Sequence, residues 1–116
     1  MNCSLIITTY NRADALSLVL NSIEGQTVPP KEVIIADDGS TKETQKMILD
    51  FQVTSSLNLT HSWQQDKGFR AAKSRNKAIV KSNGDYIILI DGDMILHPQF
   101  IEDHISNAEP GYFVQG

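Results

Sequence analysis

The sequence has 116 residues, enough for one compact domain, and its 41% hydrophobic and 21% charged content suits a chain with a buried core. A net charge of −4 excludes a general nucleic-acid binder, which needs a basic face, but not a nucleotide site, where one or two cations suffice. A lone cysteine excludes an intrachain disulfide, no apolar stretch is long enough to span a bilayer, and no signal peptide opens the chain, so a reducing, cytoplasmic setting is expected.

Short apolar runs alternate with amphipathic segments, which predicts a mostly parallel sheet covered by helices, an α/β fold. The first run is Cys3 to Thr9, in which Cys3 reads as a small buried hydrophobe. Tyr10-Asn11-Arg12 follows, with Asn11 as a candidate helix cap. Leu16, Val19, Leu20 and Ile23 then share one helical stripe that Gly25 can end. A second strand, Glu32 to Ala36, leads into Asp37-Asp38-Gly39-Ser40, where Ser40 and Glu43 have capping-box spacing. Thr44, Met47, Ile48 and Phe51 make the next helical face. A third strand is expected near Leu57 to Trp63, then a basic helix from about Phe69 to Lys81 with Ala72, Asn76 and Ile79 on one side. Tyr86 to Ile90 is the clearest buried strand, and it ends in Asp91-Gly92-Asp93. Pro98 suits a helix start, Phe100, Ile101, His104 and Ile105 form an apolar face, and Tyr112 to Val114 can begin a further strand.

The polar clusters share a position: each follows a strand. Open α/β sheets bind ligands at the carboxyl ends of their strands. Four clusters remote in sequence are therefore expected to converge on one edge.

Asp91-Gly92-Asp93 carries the most chemistry. In an extended segment residues at i and i+2 point the same way, and two carboxylates on one side call for a cation. Oxygen donors suit Mg²⁺ or Mn²⁺, and Gly92 would allow close approach of a ligand. The same triplet also fits a polar turn, since Asp-Gly is a common turn pair. Asp37-Asp38 exceeds what a helix cap needs, and one carboxylate can accept from a nucleobase N–H. Tyr10 can stack on a base and Arg12 can meet phosphate, although a plain strand-to-helix loop fits equally. Asp66 to Arg70, with Lys73, Arg75 and Lys77, is a basic cluster at a helix start, where Lys67 and Arg70 are the candidates for a diphosphate. His97 reads as a capping or loop residue, His61 and His104 as structural, and Trp63 and Phe69 as core or rim packing.

Four segments together resemble glycosyltransferase family 2, whose members share the GT-A fold: Ile6 to Arg12, Val33 to Ser40, Gly68 to Ala78 and Ile88 to Met94. They occur in the family's order and span nearly the whole chain. The third and fourth look closest to bacterial chondroitin-polymerase-like and galactosyltransferase-like members. The resemblance implies a UDP-sugar donor, a glycan or lipid-linked acceptor and transfer with inversion. It places Thr8 and Tyr10 around the base, Asp38 on the uracil N–H, and Arg70 with Lys67 on the base or diphosphate. It puts Asp91 near the ribose and donor sugar, and Asp93 on a Mn²⁺ or Mg²⁺ ion, with Asp91 beside it. The family's catalytic base normally lies in the second half of the domain. Glu102, Asp103 and Glu109 read as exposed, so the base is expected beyond Gly116, in a chain that is the nucleotide-sugar-binding part of a longer domain. That part would leave a sheet edge exposed for self-association and leaves room for peripheral membrane association at the inner face. The alternatives are a nucleotide-binding fragment without turnover, a receiver-type phosphoacceptor domain and a nucleotidyltransferase. The last usually carries a glycine-rich loop after its first strand, and Thr8 to Arg12 has no glycine.

Overall fold

The computed structural model describes residues 2–66, 71–106 and 113–115. Among these, strands β1 (Cys3–Thr9), β2 (Glu32–Asp37), β3 (Leu59–Trp63), β4 (Tyr86–Asp91) and β5 (Phe113–Gln115) alternate with helices α1 (Ala13–Glu24), α2 (Lys42–Thr54), α3 (Ala71–Lys81) and α4 (Phe100–Ser106). The strands form one sheet in the order β3-β2-β1-β4-β5, and every neighbouring pair is parallel.

Burial follows from sheet position. β2 is buried at every position and β1 at nearly every one, because helices cover both faces of the sheet centre. β3 lies at the edge and is less apolar, with Leu59 and Ser62 buried but Thr60 and Trp63 exposed. The pleat sends alternate side chains to opposite layers. Leu5, Ile7, Val33, Ile35, Ile88 and Ile90 join Leu16, Val19, Leu20 and Ile23 of α1, Ile48 of α2 and Ile101 of α4 in the larger core. Ile6, Ile34, Ala36 and Leu89 face the other way, against Ala78 of α3. Each fully buried aliphatic side chain contributes about 1.5–3 kcal/mol relative to exposure.

The face of α3 differs from the expected one. Ala72 and Asn76 are exposed, whereas Ser74 and Ala78 are buried and Ile79 packs partly. Small side chains let α3 approach the sheet closely over Ile6, Ile34 and Ala36, so the inward face is set by size more than by hydrophobicity.

The expected caps are replaced by a contact between loops. The N-caps of α1 and α2 are Arg12 and Thr41, and neither makes a side-chain capping bond. Asn11 instead adopts φ 50°, and its Oδ1 accepts from the Thr41 N–H at 2.8 Å. Ser40 Oγ accepts in turn from the Asn11 N–H at 2.7 Å. The loops after β1 and β2 therefore fix one another. At the opposite end of the sheet, buried Glu32 accepts from Ser4 Oγ at 2.6 Å and from the Asn83 N–H, joining β1, β2 and the turn before β4.

The chain winds outward from β1 in one direction through β2 and β3, and from β4 in the other through β5. The carboxyl ends of β1 and β4 thus flank the point where strand order reverses, where open parallel sheets leave a crevice.

Candidate functional site

A cavity of about 270 Å³ occupies that crevice, lined by Thr8, Thr9, Tyr10, Arg12, Ala36, Asp38, Asp91, Gly92 and Asp93. Six of the eight residues expected at the site are therefore together: Thr8, Tyr10, Arg12, Asp38, Asp91 and Asp93. Lys67 and Arg70 lie outside the described residues, as does Phe69.

Strand register builds the floor. Thr8 pairs with Asp91 across β1 and β4, and Thr8 Oγ1 donates to Asp91 Oδ1 at 3.3 Å. The acidic triplet is not extended. Asp91 ends β4, and the Met94 N–H donates to its carbonyl at 3.1 Å, so the chain turns through Gly92 and Asp93. Both carboxylates still border the cavity. Gly92 lines the cavity and has a packing role as well: a Cβ there would sit 2.6 Å from the Thr8 carbonyl oxygen. It is glycine because the turn presses on the end of β1. Beside it, the buried Thr9 hydroxyl has no hydrogen-bond partner among the described residues, a polar group that a ligand in the cavity could satisfy.

The paired acids after β2 divide their roles. Asp37 is fully buried: its Oδ1 accepts from the Ser40 N–H at 2.9 Å, and its Oδ2 lies 2.7 Å from His61 Nε2. Asp38 borders the cavity, its N–H donates to the Thr9 carbonyl at 3.2 Å, and its Oδ1 accepts from Gln64 Nε2 at 2.6 Å. Gly39, at φ 100°, carries the chain past Asp66, whose backbone and Cβ would lie 2.5–2.6 Å from any added Cβ.

Tyr10 stands at the mouth, 46% exposed, and its hydroxyl donates to Asp66 Oδ2 at 2.5 Å. That carboxylate acceptor raises the Tyr10 pKa above its ordinary value. Arg12 Nε donates to Asp14 Oδ1 at 3.2 Å, which holds the Asp14 carboxyl below its ordinary pKa. Both side chains are largely exposed, and such pairs are weak enough for Arg12 to exchange partners.

The remaining residues lie apart from the cavity. Trp63 is half exposed, so of the two expected placements it takes the rim and not the core, and its indole N–H donates to the Ser40 carbonyl at 3.0 Å. His97 acts in its own turn, with Nδ1 accepting from the Gln99 N–H at 3.3 Å, and His104 packs on Phe100. Glu102 and Asp103 belong to α4, and neither borders the cavity. Thr9 belongs to the segment at the end of β1 already singled out. Asp66 stood in the cluster singled out before Gly68. Gln64 carried no signal beyond its position just after a strand.

A divalent ion needs hard oxygen donors, which Asp91 and Asp93 supply on one rim. Among the described residues no group of three or more His, Cys, Asp and Glu side chains converges. The pair therefore fits an ion completed by ligand oxygens and water.

A family model described as Glycosyl transferase family 2 matches residues 4–116. The chain is 34% identical over 104 residues to a hyaluronan synthase of Pasteurella multocida, covering 89% of this chain and 10% of that protein. It is 32% identical to a chondroitin synthase of Escherichia coli, covering 89% and 15%. Among solved structures, S. aureus TarS 1-349 in complex with UDP-GlcNAc superposes with a TM-score of 0.80 at 29% identity, over 91% of this chain and 30% of that one. The mannosyltransferase PcManGT from Pyrobaculum calidifontis, in complex with GDP-Man and Mn²⁺, gives 0.70 at 27% identity, over 79% and 27%. The chain spans well under half the length of each of these relatives.

Proposed function

The chain belongs to glycosyl transferase family 2, with the α/β architecture of its GT-A members, and we propose that it binds a UDP-sugar for inverting transfer to a glycan or lipid-linked acceptor. The observation that carries this reading is the gathering of loops from β1, β2 and β4 around one cavity at the strand-order reversal. Tyr10 offers a ring face at the mouth, and Asp38 offers an anionic acceptor for a ring N–H. Uracil carries such an N–H. Thr8 and Asp91 form the polar floor beneath the ribose and sugar, and Arg12 is within the lining to meet phosphate. Complexes of S. aureus TarS with UDP and with UDP-GlcNAc support the choice of nucleotide.

Asp93, with Asp91 beside it, would hold Mn²⁺ or Mg²⁺. When bound, that ion would neutralise the diphosphate and favour departure of UDP. In the proposed reaction an acceptor hydroxyl oxygen bonds to the anomeric carbon on the face opposite UDP. The bond from that carbon to the diphosphate oxygen breaks, and the hydroxyl proton passes to a carboxylate base. The receiver-type alternative loses support from topology: those domains place the second strand at the sheet edge, whereas here β2 lies inside and β3 is at the edge.

Calorimetric titration of UDP with and without Mn²⁺ tests the reading. UDP should bind in both conditions and more tightly with Mn²⁺. Asp93→Ala should remove the metal-dependent increment and keep the metal-free affinity. An unchanged increment would overturn the metal assignment, and absence of UDP binding would overturn the site. UDP release from candidate donor sugars then separates transfer from binding alone.

A further inference from the structure

Gln64 does not line the cavity, yet its side chain donates to the acid at the proposed base pocket. We propose that Gln64 is a specificity-determining positioning residue, which fixes the plane of the Asp38 carboxylate so that the pocket accepts a nucleobase carrying a ring N–H. This rests on the nucleotide-sugar reading above.

Three observations carry it. Gln64 is buried, although it follows an edge strand and is polar. Its backbone N–H donates to the Asp37 carbonyl at 3.1 Å, which extends the β2–β3 ladder one residue beyond Trp63. Its Nε2 then reaches Asp38 Oδ1 at 2.6 Å. A carboxylate oxygen only accepts, so the amide must present its nitrogen end, and the orientation of Gln64 follows from chemistry.

Asp38 is anchored too, since its N–H donates to the Thr9 carbonyl at 3.2 Å. With both backbones tied to the sheet, rotation of the Asp38 side chain is the freedom that the Gln64 amide restrains. A carboxylate held in one plane discriminates. Uracil and guanine present an N–H at the ring edge, which it can accept. Cytosine presents a lone pair at the corresponding ring nitrogen, and lone pair then faces lone pair. A less restrained carboxylate could instead turn to accept from cytosine's exocyclic amine. Losing the amide donor should therefore relax the choice of base more than it weakens binding as a whole.

The test is the ratio of UDP to CDP affinity in Gln64→Leu and Gln64→Glu, measured by calorimetry on the same chain. Leu removes the polar contact. Glu keeps the size of the side chain but exchanges the donor for an acceptor. The UDP preference should fall about tenfold in each folded variant, the scale of one hydrogen bond to a charged group. A purely structural role would lower both affinities together, and a ratio unchanged from wild type would overturn the proposal. In the unaltered protein, the Gln64 side-chain amide protons should exchange slowly with solvent both free and with UDP bound. Rapid exchange with UDP bound would overturn the proposal without reference to any variant. If the unaltered chain bound no UDP, the nucleotide-sugar reading itself would fail; if it bound UDP and CDP equally, or kept its UDP preference when Gln64 is replaced, only the present proposal would fail.

Discussion

At the end of β2, Asp37 turns inward and Asp38 turns to the cavity. The sequence shows two adjacent acids before a glycine, and nothing in that pair says which is structural. The difference arises from His61, 24 residues on in β3, which meets Asp37 Oδ2, and from Gln64, which meets Asp38. Only the parallel pairing of β2 with β3 brings these partners into reach. Asp37 also takes the Ser40 N–H, so its loss would leave a buried donor and a half-buried imidazole without their acceptor. Asp37→Ala should lower stability by about 3 kcal/mol, within the range for breaking a buried charged hydrogen-bond pair, read as a fall in the urea midpoint. A midpoint within experimental error of wild type would mean that the Asp37 contacts are replaceable.

Among the elements, strands were the most legible. Leu5 to Ile7 and Tyr86 to Ile90 are continuous apolar runs because both sheet faces are covered, and the polar residues that follow them fall at the sheet's carboxyl edge. The convergence of Tyr10, Asp38 and Asp93 could thus be expected from chain order alone. Loop geometry could not. The Asn11–Thr41 and Ser40–Asn11 bonds join residues about thirty positions apart, so local capping patterns pointed to the wrong partners. Which of its two readings, extended or turned, the acidic triplet takes is hidden for a related reason: the turn packs against β1. Gly92 shows how tight that contact is. An added methyl would meet the Thr8 carbonyl at 2.6 Å, and a backbone carbonyl within a sheet cannot swing aside as a side chain can. Gly92→Ala should therefore push the β4 turn away from β1, costing about 1–3 kcal/mol in thermal unfolding. Because Asp91 and Asp93 flank the glycine, the Mn²⁺-dependent increment in UDP affinity should fall with it. Wild-type stability and metal response in this variant would show that the turn has room the geometry denies.

For the whole molecule, the response to alkaline pH follows from where the acids with raised pKa values sit. Burial in β1 pushes the Cys3 thiol from an ordinary 9.0 up to about 12. Tyr86 is raised by burial, and Tyr10 by its bond to Asp66. Each group keeps its proton to higher pH in the folded chain than in the unfolded one. Between the unfolded and folded values the native state binds more protons, so stability falls as pH rises. The contribution of Cys3 is complete below pH 9 and is lost progressively between pH 9 and about 12. Urea midpoints measured from pH 7 upward should stay level with respect to these groups and then decline beyond pH 9. Cys3→Ala should flatten the first part of that decline while lowering the midpoint at pH 7 only modestly, as expected for removing a small buried group. The same burial predicts that the native thiol resists alkylation at neutral pH and reacts once urea unfolds the chain, because the thiolate is the nucleophile and burial suppresses it. Rapid alkylation of the folded chain would place Cys3 outside the core, and with it the inward face of β1 on which the register of the whole sheet depends.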